Sequence, residues 1–209
     1  MRIIGGAFGS RPLVAPRGRS TRPTSDRVRE ALFGILESAE VVDHARVLDL
    51  YAGTGALGLE SLSRGAAHAT FVESAREALD AIRTNVSTLD VGERTQVLAG
   101  DVVRVVRGLS PDSPFDLVLS DPPWALVDDG AALKALGALV GARAIGPTTW
   151  VVLEHSARTA PPPRLPARPA LRSATPDGEA GLSRFDTRRY GDTALTFYKP
   201  DILDPRSRT

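Results

Sequence analysis

Cysteine is missing from this chain, which excludes both a disulfide framework and a thiolate metal centre. Histidine is scarce and scattered: His44, His68 and His155 fall in separate stretches, so neither a structural zinc nor any other metal is expected. No long apolar run is present, and the opening MRIIGGAFGS has no secretory apolar core. The expectation is therefore a cytoplasmic protein with no membrane partner. Lysine is almost lacking too, since Lys134 and Lys199 are outnumbered by arginines among the 26 basic residues. The formal net charge of +1 conceals an uneven distribution. Arg2, Arg11, Arg17, Arg19, Arg22, Arg27 and Arg29 stand near the N-terminus against one acid, Asp26, and the rest of the chain is net acidic. Attraction for a polyanion is thus concentrated at one end, and these seven arginines are the candidate nucleic-acid contacts. The plainer alternative is a solvated basic tail.

What is present fits one main domain with an appendage: 209 residues, of which 42% are hydrophobic. Residues 1–23 are rich in Gly, Pro and Arg, with short apolar pieces at Ile3, Ile4, Leu13 and Val14 that suit a small hairpin. They are expected to form a basic arm that orders on a partner or against the main domain, 24–209. TSDRVREALFGILE supplies Thr24 or Ser25 as N-cap, followed by Val28, Ala31, Leu32, Ile35 and Leu36 at helical spacing, with Arg27 and Arg29 off the apolar face. From residue 46 short apolar runs alternate with helical stretches, the pattern of a doubly wound, mostly parallel α/β sheet. TAPPPRLPARP (159–169) reads as a polyproline-like connector, and SRFDTRRYG with DTALTFYKP as an antiparallel C-terminal hairpin closing the sheet's edge.

LDLYAGTGALGLE places Gly53, Gly55 and Gly58 in G-x-G-x-x-G spacing after a strand and before a helix. Such a turn suits a dinucleotide pyrophosphate and equally a nucleoside cofactor without phosphate. Asp49, Glu73 and Asp101 each stand at the end of one of three successive expected strands, the rim where such sheets bind ligands. A carboxylate on the second strand's tip can accept both ribose hydroxyls, and one on the third an adenine amino group. Taken singly, each acid is also what an N-cap requires.

On the same rim comes Asp121-Pro122-Pro123-Trp124. The two prolines fix their own φ angles and restrict the residues before them, which stiffens the turn and aims the Asp121 carboxylate. Trp124 offers a flat face for a planar ring, and the Pro122 carbonyl is a second acceptor beside Asp121. An acceptor pair with a stacking platform describes a cradle for an aromatic amine.

These residues resemble the S-adenosylmethionine-dependent amino-group methyltransferases marked by (Asp/Asn)-Pro-Pro-(Tyr/Phe/Trp), and more narrowly the RsmD family. The likeness runs through RIIGG at 2–6, RPTSDRVREALF at 22–33, LDLYAGTGALGLESLSRGA at 48–66, FVE at 71–73 and DPPW at 121–124. Trp124 stands where family members carry Phe, and the proline connector departs from the pattern. The resemblance implies a class I, Rossmann-like methyltransferase fold with a small basic N-terminal extension. It implies methylation of a guanine 2-amino group in 16S ribosomal RNA, within small-subunit assembly intermediates. It also implies cofactor contacts from Asp49, Tyr51, Ala52, Gly53, Thr54, Gly55, Gly58, Glu73, Asp101 and Val102, with Asp121, Pro122, Pro123 and Trp124 at the target base. Three rivals stay open: a DNA adenine methyltransferase, a dinucleotide-dependent oxidoreductase and a non-catalytic RNA-binding protein. His155, at the end of the fifth strand, is given a structural role.

Overall fold

A computed structural model describes residues 1–15, 25–109, 111–167 and 180–201. Helix α1, Asp26–Ser38, starts where the Ser25 hydroxyl accepts the Val28 N–H, satisfying one of the donors a helix leaves unpaired at its N-terminus. Thr24, the other candidate cap, lies outside the described residues. Val28, Leu32, Phe33 and Leu36 form its buried stripe.

The sheet then builds by alternation of strand and helix: β1 (Arg46–Leu50), α2 (Ala56–Ser63), β2 (His68–Glu73), α3 (Arg76–Leu89), β3 (Thr95–Ala99), α4 (Val102–Gly108) and β4 (Phe115–Ser120). After these come α5 (Trp124–Asp128), α6 (Ala131–Gly141), β5 (Ile145–Ser156), β6 (Arg164–Pro166), β7 (Gly181–Tyr190) and β8 (Thr193–Asp201). Among the described residues they make one eight-stranded sheet of order β3-β2-β1-β4-β5-β8-β7-β6. The first five of these strands are mutually parallel, whereas β8 pairs antiparallel with β5, β7 with β8 and β6 with β7. Central strands covered on both faces need apolar residues at nearly every position, and β1 and β4 have them. One core joins α1, α2 and α3 through Leu32, Phe33, Leu59, Phe71 and Ile82. The other joins α4, α5 and α6 through Val106, Val127, Leu136 and Leu139. No helix among the described residues is long and apolar enough to cross a membrane.

Three local expectations change. The hairpin does not end the sheet, because three residues of the proline connector pair with β7 as the outermost strand. Pro166 is tolerated there, since an edge strand has one side without a ladder to break. Trp124 opens the short helix α5 instead of continuing a turn. Asp49 is not at the tip of β1 but one residue inside it, and it is buried.

Residues 1–15 fold onto the domain. Ile3 N–H donates to the Arg11 carbonyl at 2.9 Å and Leu13 N–H to the Met1 carbonyl at 3.1 Å, so the piece turns back on itself. Ile3 and Leu13 enter the first core. The Glu60 carboxylate of α2, fully buried, accepts Ile4 N–H at 2.7 Å, Gly5 N–H at 2.9 Å and the Arg64 Nε–H at 2.8 Å. Charged groups survive burial only when paired and hydrogen-bonded in this way. Glu60→Ala leaves Arg64 and two backbone donors without their acceptor, and the expected loss is roughly 3–5 kcal/mol in urea unfolding. A loss below about 1 kcal/mol, the range of exposed pairs, would contradict this anchoring role.

Candidate active site

Between β1 and α2 the backbone reverses within five residues. Tyr51 adopts φ +58°, Gly53 +57° and Gly55 +76°. For Tyr51 this left-handed conformation is strained, and strain in a non-glycine residue marks positions fixed by their surroundings. Gly55 N–H donates to the Ala52 carbonyl at 2.7 Å, closing the turn, and Ala52 N–H donates to the Val72 carbonyl of β2. Gly58 is required for a different reason: a Cβ there would lie 2.4 Å from the Phe71 ring. Its absence lets α2 settle directly on β2.

Two carboxylates hold this turn. Asp49 accepts Gly58 N–H at 2.9 Å from beneath. Glu73, at the tip of β2, accepts Gly53 N–H at 2.9 Å with one oxygen, and Ser74 and Ala75 N–H at 2.7 and 2.8 Å with the other. Asp101 lies two residues beyond β3 and caps α4 by accepting Arg104 N–H at 2.9 Å. Asp121 follows β4 directly, with its N–H directed at the Leu50 carbonyl at 3.4 Å. Pro122 is buried, while Trp124 is half-buried at the start of α5.

The field at this rim is acidic. Burial pushes the Asp49 carboxyl well above the usual carboxylate range; the Gly58 hydrogen bond opposes the shift, and the charges of Asp121 and Glu73 add to it. Burial, with help from Asp101 and Asp129, pushes the Tyr51 phenol to about 12, so it stays protonated. A pyrophosphate brought among these carboxylates would be repelled, whereas a cationic ligand is attracted. The glycine turn therefore suits a nucleoside cofactor bearing a sulfonium and an ammonium better than a dinucleotide. A groove of about 770 Å³ runs along α4 from Asp101 towards Phe115, away from Asp121.

The arginines divide. Arg2, Arg11 and Arg27 are exposed, with Arg2 3.7 Å from Asp26 and Arg11 donating to the Thr88 carbonyl at 3.0 Å. Arg29 corrects the expectation of an RNA contact: its side chain is only 1% exposed and donates to the Arg2 carbonyl at 2.6 Å and to Asp26 at 2.9 Å. Its guanidinium fastens the N-terminal piece to α1, out of reach of a polyanion. Arg17, Arg19 and Arg22 lie outside the described residues. His155 is buried; its Nδ1–H donates to the Ser156 carbonyl and its Nε2 accepts from the Thr196 hydroxyl, both at 2.8 Å. Burial lowers its pKa, so it is a neutral structural residue.

Sequence reasoning missed Asn85 of α3. Its Nδ2 donates at 3.0 Å to the carbonyls of both Val14 and Thr54, and its Oδ1 accepts Val14 N–H at 2.7 Å. The N-terminal piece and the glycine turn thus share one side chain. The available signal was an asparagine on the buried stripe of an amphipathic helix, beside Ile82 and Leu89.

Two measurements check these forces. Gly58→Ala drives a methyl into Phe71, and the expected destabilisation is about 1–3 kcal/mol by urea unfolding; wild-type stability would mean that the helix is not so tightly seated. For Asp49 the folded-state pKa is raised, so as pH rises through the ordinary value of 3.8 the unfolded chain ionises first. Stability contributed by this carboxyl is therefore full below that value and declines as pH climbs towards the folded pKa. Asp49→Asn, with nothing to titrate, should show a shallower decline above about pH 4; parallel curves for the two proteins would rule the coupling out.

Comparisons with known proteins point to one family. The profile of the family described as "Conserved hypothetical protein 95" matches residues 1–199. "Putative rRNA methyltransferase YlbH" of Bacillus subtilis (strain 168) is 32% identical over 95% of this chain and 98% of its own length. "Ribosomal RNA small subunit methyltransferase D" of Escherichia coli (strain K12) is 41% identical over 59% of this chain and 60% of its own. The solved structure "Putative methyltransferase yhhF from Escherichia coli" superposes with a TM-score of 0.72 at 30% identity, covering 95% of this chain and 97% of that one. The chain belongs to the conserved hypothetical protein 95 family and is an RsmD-type methyltransferase.

Proposed function

We propose that the chain transfers a methyl group to the exocyclic 2-amino group of a guanine in small-subunit ribosomal RNA, acting in the cytoplasm on assembly intermediates of that subunit. The observation that carries the reading is the placement of Asp121-Pro122-Pro123-Trp124 at the tip of β4, in the same electrostatic field as Asp49 and Glu73. The names of the relatives, two of which print ribosomal RNA, support the substrate class.

Bound S-adenosylmethionine supplies a methyl group on an electron-poor sulfonium sulfur. The chain's part is to hold and to aim. Glu73 takes a ribose hydroxyl: a carboxylate has about four acceptor positions, and its three backbone donors leave one on the oxygen that holds Gly53. Asp101 and the Val102 N–H take the adenine. Tyr51, Ala52, Gly53, Thr54 and Gly55 wrap the amino-acid portion, whose ammonium is drawn by the acidic rim.

A guanine amino group is a weak nucleophile because its lone pair is delocalised into the ring. Hydrogen bonds from its N–H groups to the Asp121 carboxylate and the Pro122 carbonyl localise that pair and point it at the methyl carbon. Once the methyl group is transferred, Asp121 guides the surplus proton from the nitrogen towards solvent. The guanine must leave its stack first, and Trp124 offers the replacement surface. Positioning and electrostatic complementarity supply the rate enhancement. The exposed Arg2, Arg11 and Arg27, together with Arg17, Arg19 and Arg22, contribute phosphate contacts.

The deciding experiment is labelled methyl transfer to ribosomal RNA and to small subunits that lack the mark, followed by mapping of the modified nucleotide. A guanine N2 product supports the reading; transfer only to adenine in DNA, or no transfer, overturns it. Asp121→Ala should bind S-adenosylhomocysteine as the parent does while its turnover drops by about 10²–10³, the scale of losing one preorganised transition-state contact. Near-parental turnover would remove Asp121 from the mechanism. Trp124→Ala should forfeit the ~1–3 kcal/mol of base stacking, visible as a lower kcat/KM for RNA at unchanged S-adenosylhomocysteine affinity; equal kcat/KM would mean that the indole does not meet the base.

A further inference from the structure

The exposed Arg2, Arg11 and Arg27 do not exhaust the positive charge among the described residues. Beyond β5 the chain makes a second groove of about 500 Å³, whose walls include Thr159, Pro161, Arg184, Thr187 and Arg189. Its position follows from strand register. Ser120, the residue before Asp121, pairs with Leu153 of β5; two residues on, His155 lies across Ala194 of β8 from Arg189 of β7. Arg189 is thus level with the Asp-Pro-Pro corner, three strands along. At ~4.8 Å per strand that is about 14 Å from β4. The groove also touches α5, because the Thr159 hydroxyl donates at 2.7 Å to Asp128, the last residue of the helix that Trp124 opens.

The charge is available. Arg189 and the neighbouring Arg158 are exposed and make no ion pair among the described residues. Arg184 spends one Nη1–H on the Pro161 carbonyl at 3.0 Å, which holds the connector against β7. Of the nearby acids, Asp186 is paired with Arg188 at 2.8 Å, while Asp128 accepts the Thr159 hydroxyl and keeps its charge, leaving the two arginines Arg184 and Arg189 against one carboxylate without an ion pair among the described residues. His155, buried under the groove and neutral, adds no charge to it. The groove lies on the α4–α6 side of the sheet, whereas residues 1–15 dock on α2 and α3 across it. Basic surfaces therefore flank the acidic rim from both sides.

We infer that the groove between the β5–β6 connector and β7 is a second seat for the RNA backbone, gripping a phosphate a few nucleotides from the target base through Arg189 and Arg184. It rests on the RNA reading above. An acidic reaction centre repels a polyanion, so two basic anchors on opposite sides allow a strand to cross it with only the extruded base drawn towards Asp121. Neither anchor alone fixes the direction of the strand; two do.

The test is RNA binding by the full chain across a salt series, using a small-subunit ribosomal RNA fragment and the variant Arg189→Glu. The variant should bind RNA several-fold more weakly, with the slope of log affinity against log salt reduced by about 0.7, one single-strand phosphate contact. Its S-adenosylhomocysteine affinity should match the parent, which also shows that it is folded. A second readout needs no variant: photo-crosslinking of thiouridine-substituted RNA to the wild-type chain should label the peptide carrying Arg184–Arg189. If the wild type binds RNA and the variant reproduces its slope and affinity, or the crosslinks miss β7, the groove is not a seat and the substrate reading stands. If the wild type shows no salt-dependent RNA affinity, the substrate reading falls and the groove falls with it.

Discussion

Two carboxylates hold the glycine turn between β1 and α2 in place, and the site is organised around that restraint. Asp49 grips Gly58 from below and Glu73 grips Gly53 from the side. A loop that must present its backbone to a ligand cannot be braced by bulky side chains within itself, since these would fill the space the ligand needs. The bracing is supplied from neighbouring strands by groups that accept backbone N–H donors. One consequence is the acidity of the rim. Asp49 is buried at a cost in desolvation, raised further by Asp121 and Glu73, and a cationic cofactor relieves part of that cost. Architecture and ligand choice therefore share one cause.

The N-terminal segment depends on the same turn. Glu60 of α2 binds its first backbone donors, Ser63 accepts Phe8 N–H at 2.9 Å, and Asn85 joins Val14 to the Thr54 carbonyl within the turn. Met1 also touches the turn, where the Thr54 hydroxyl points at its sulfur at 3.2 Å. A segment held by the helix that begins at the cofactor turn is held relative to the cofactor as well. Val14 is thereby fixed beside the glycine turn. Arg29 belongs to this scaffold: the same guanidinium that looks like a phosphate contact in sequence is spent on Asp26 and the Arg2 carbonyl.

The distribution of charge follows the chemistry. Acids collect at the ends of β1, β2 and β4, and exposed arginines stand outside them, on the N-terminal side and along β7. Mixing the two would cancel both effects, because an arginine at the rim would repel the donor and pair with Asp121. The sheet keeps them apart by giving each a different set of strands.

Much of this was legible in the sequence, for reasons that are local. Alternating apolar runs and helical spacing fix the parallel α/β plan because buried strands and amphipathic helices each demand their own period. G-x-G-x-x-G and Asp-Pro-Pro-Trp mark their turns because glycine and proline act on the backbone at their own positions. What tertiary structure alone decided is what those residues face. Arg29 has the same spacing whether it points to solvent or into a junction, and only the docking of residues 1–15 buries it. Asp49 reads as a strand-tip acid until the packing of α2 on β2 closes over it. Asn85, the edge strand at Arg164–Pro166 and the alignment of Arg189 with the Asp-Pro-Pro corner depend on partners far away in the chain. A sequence encodes its backbone preferences residue by residue, but the burial and charge environment of each group arise only when distant segments are brought together.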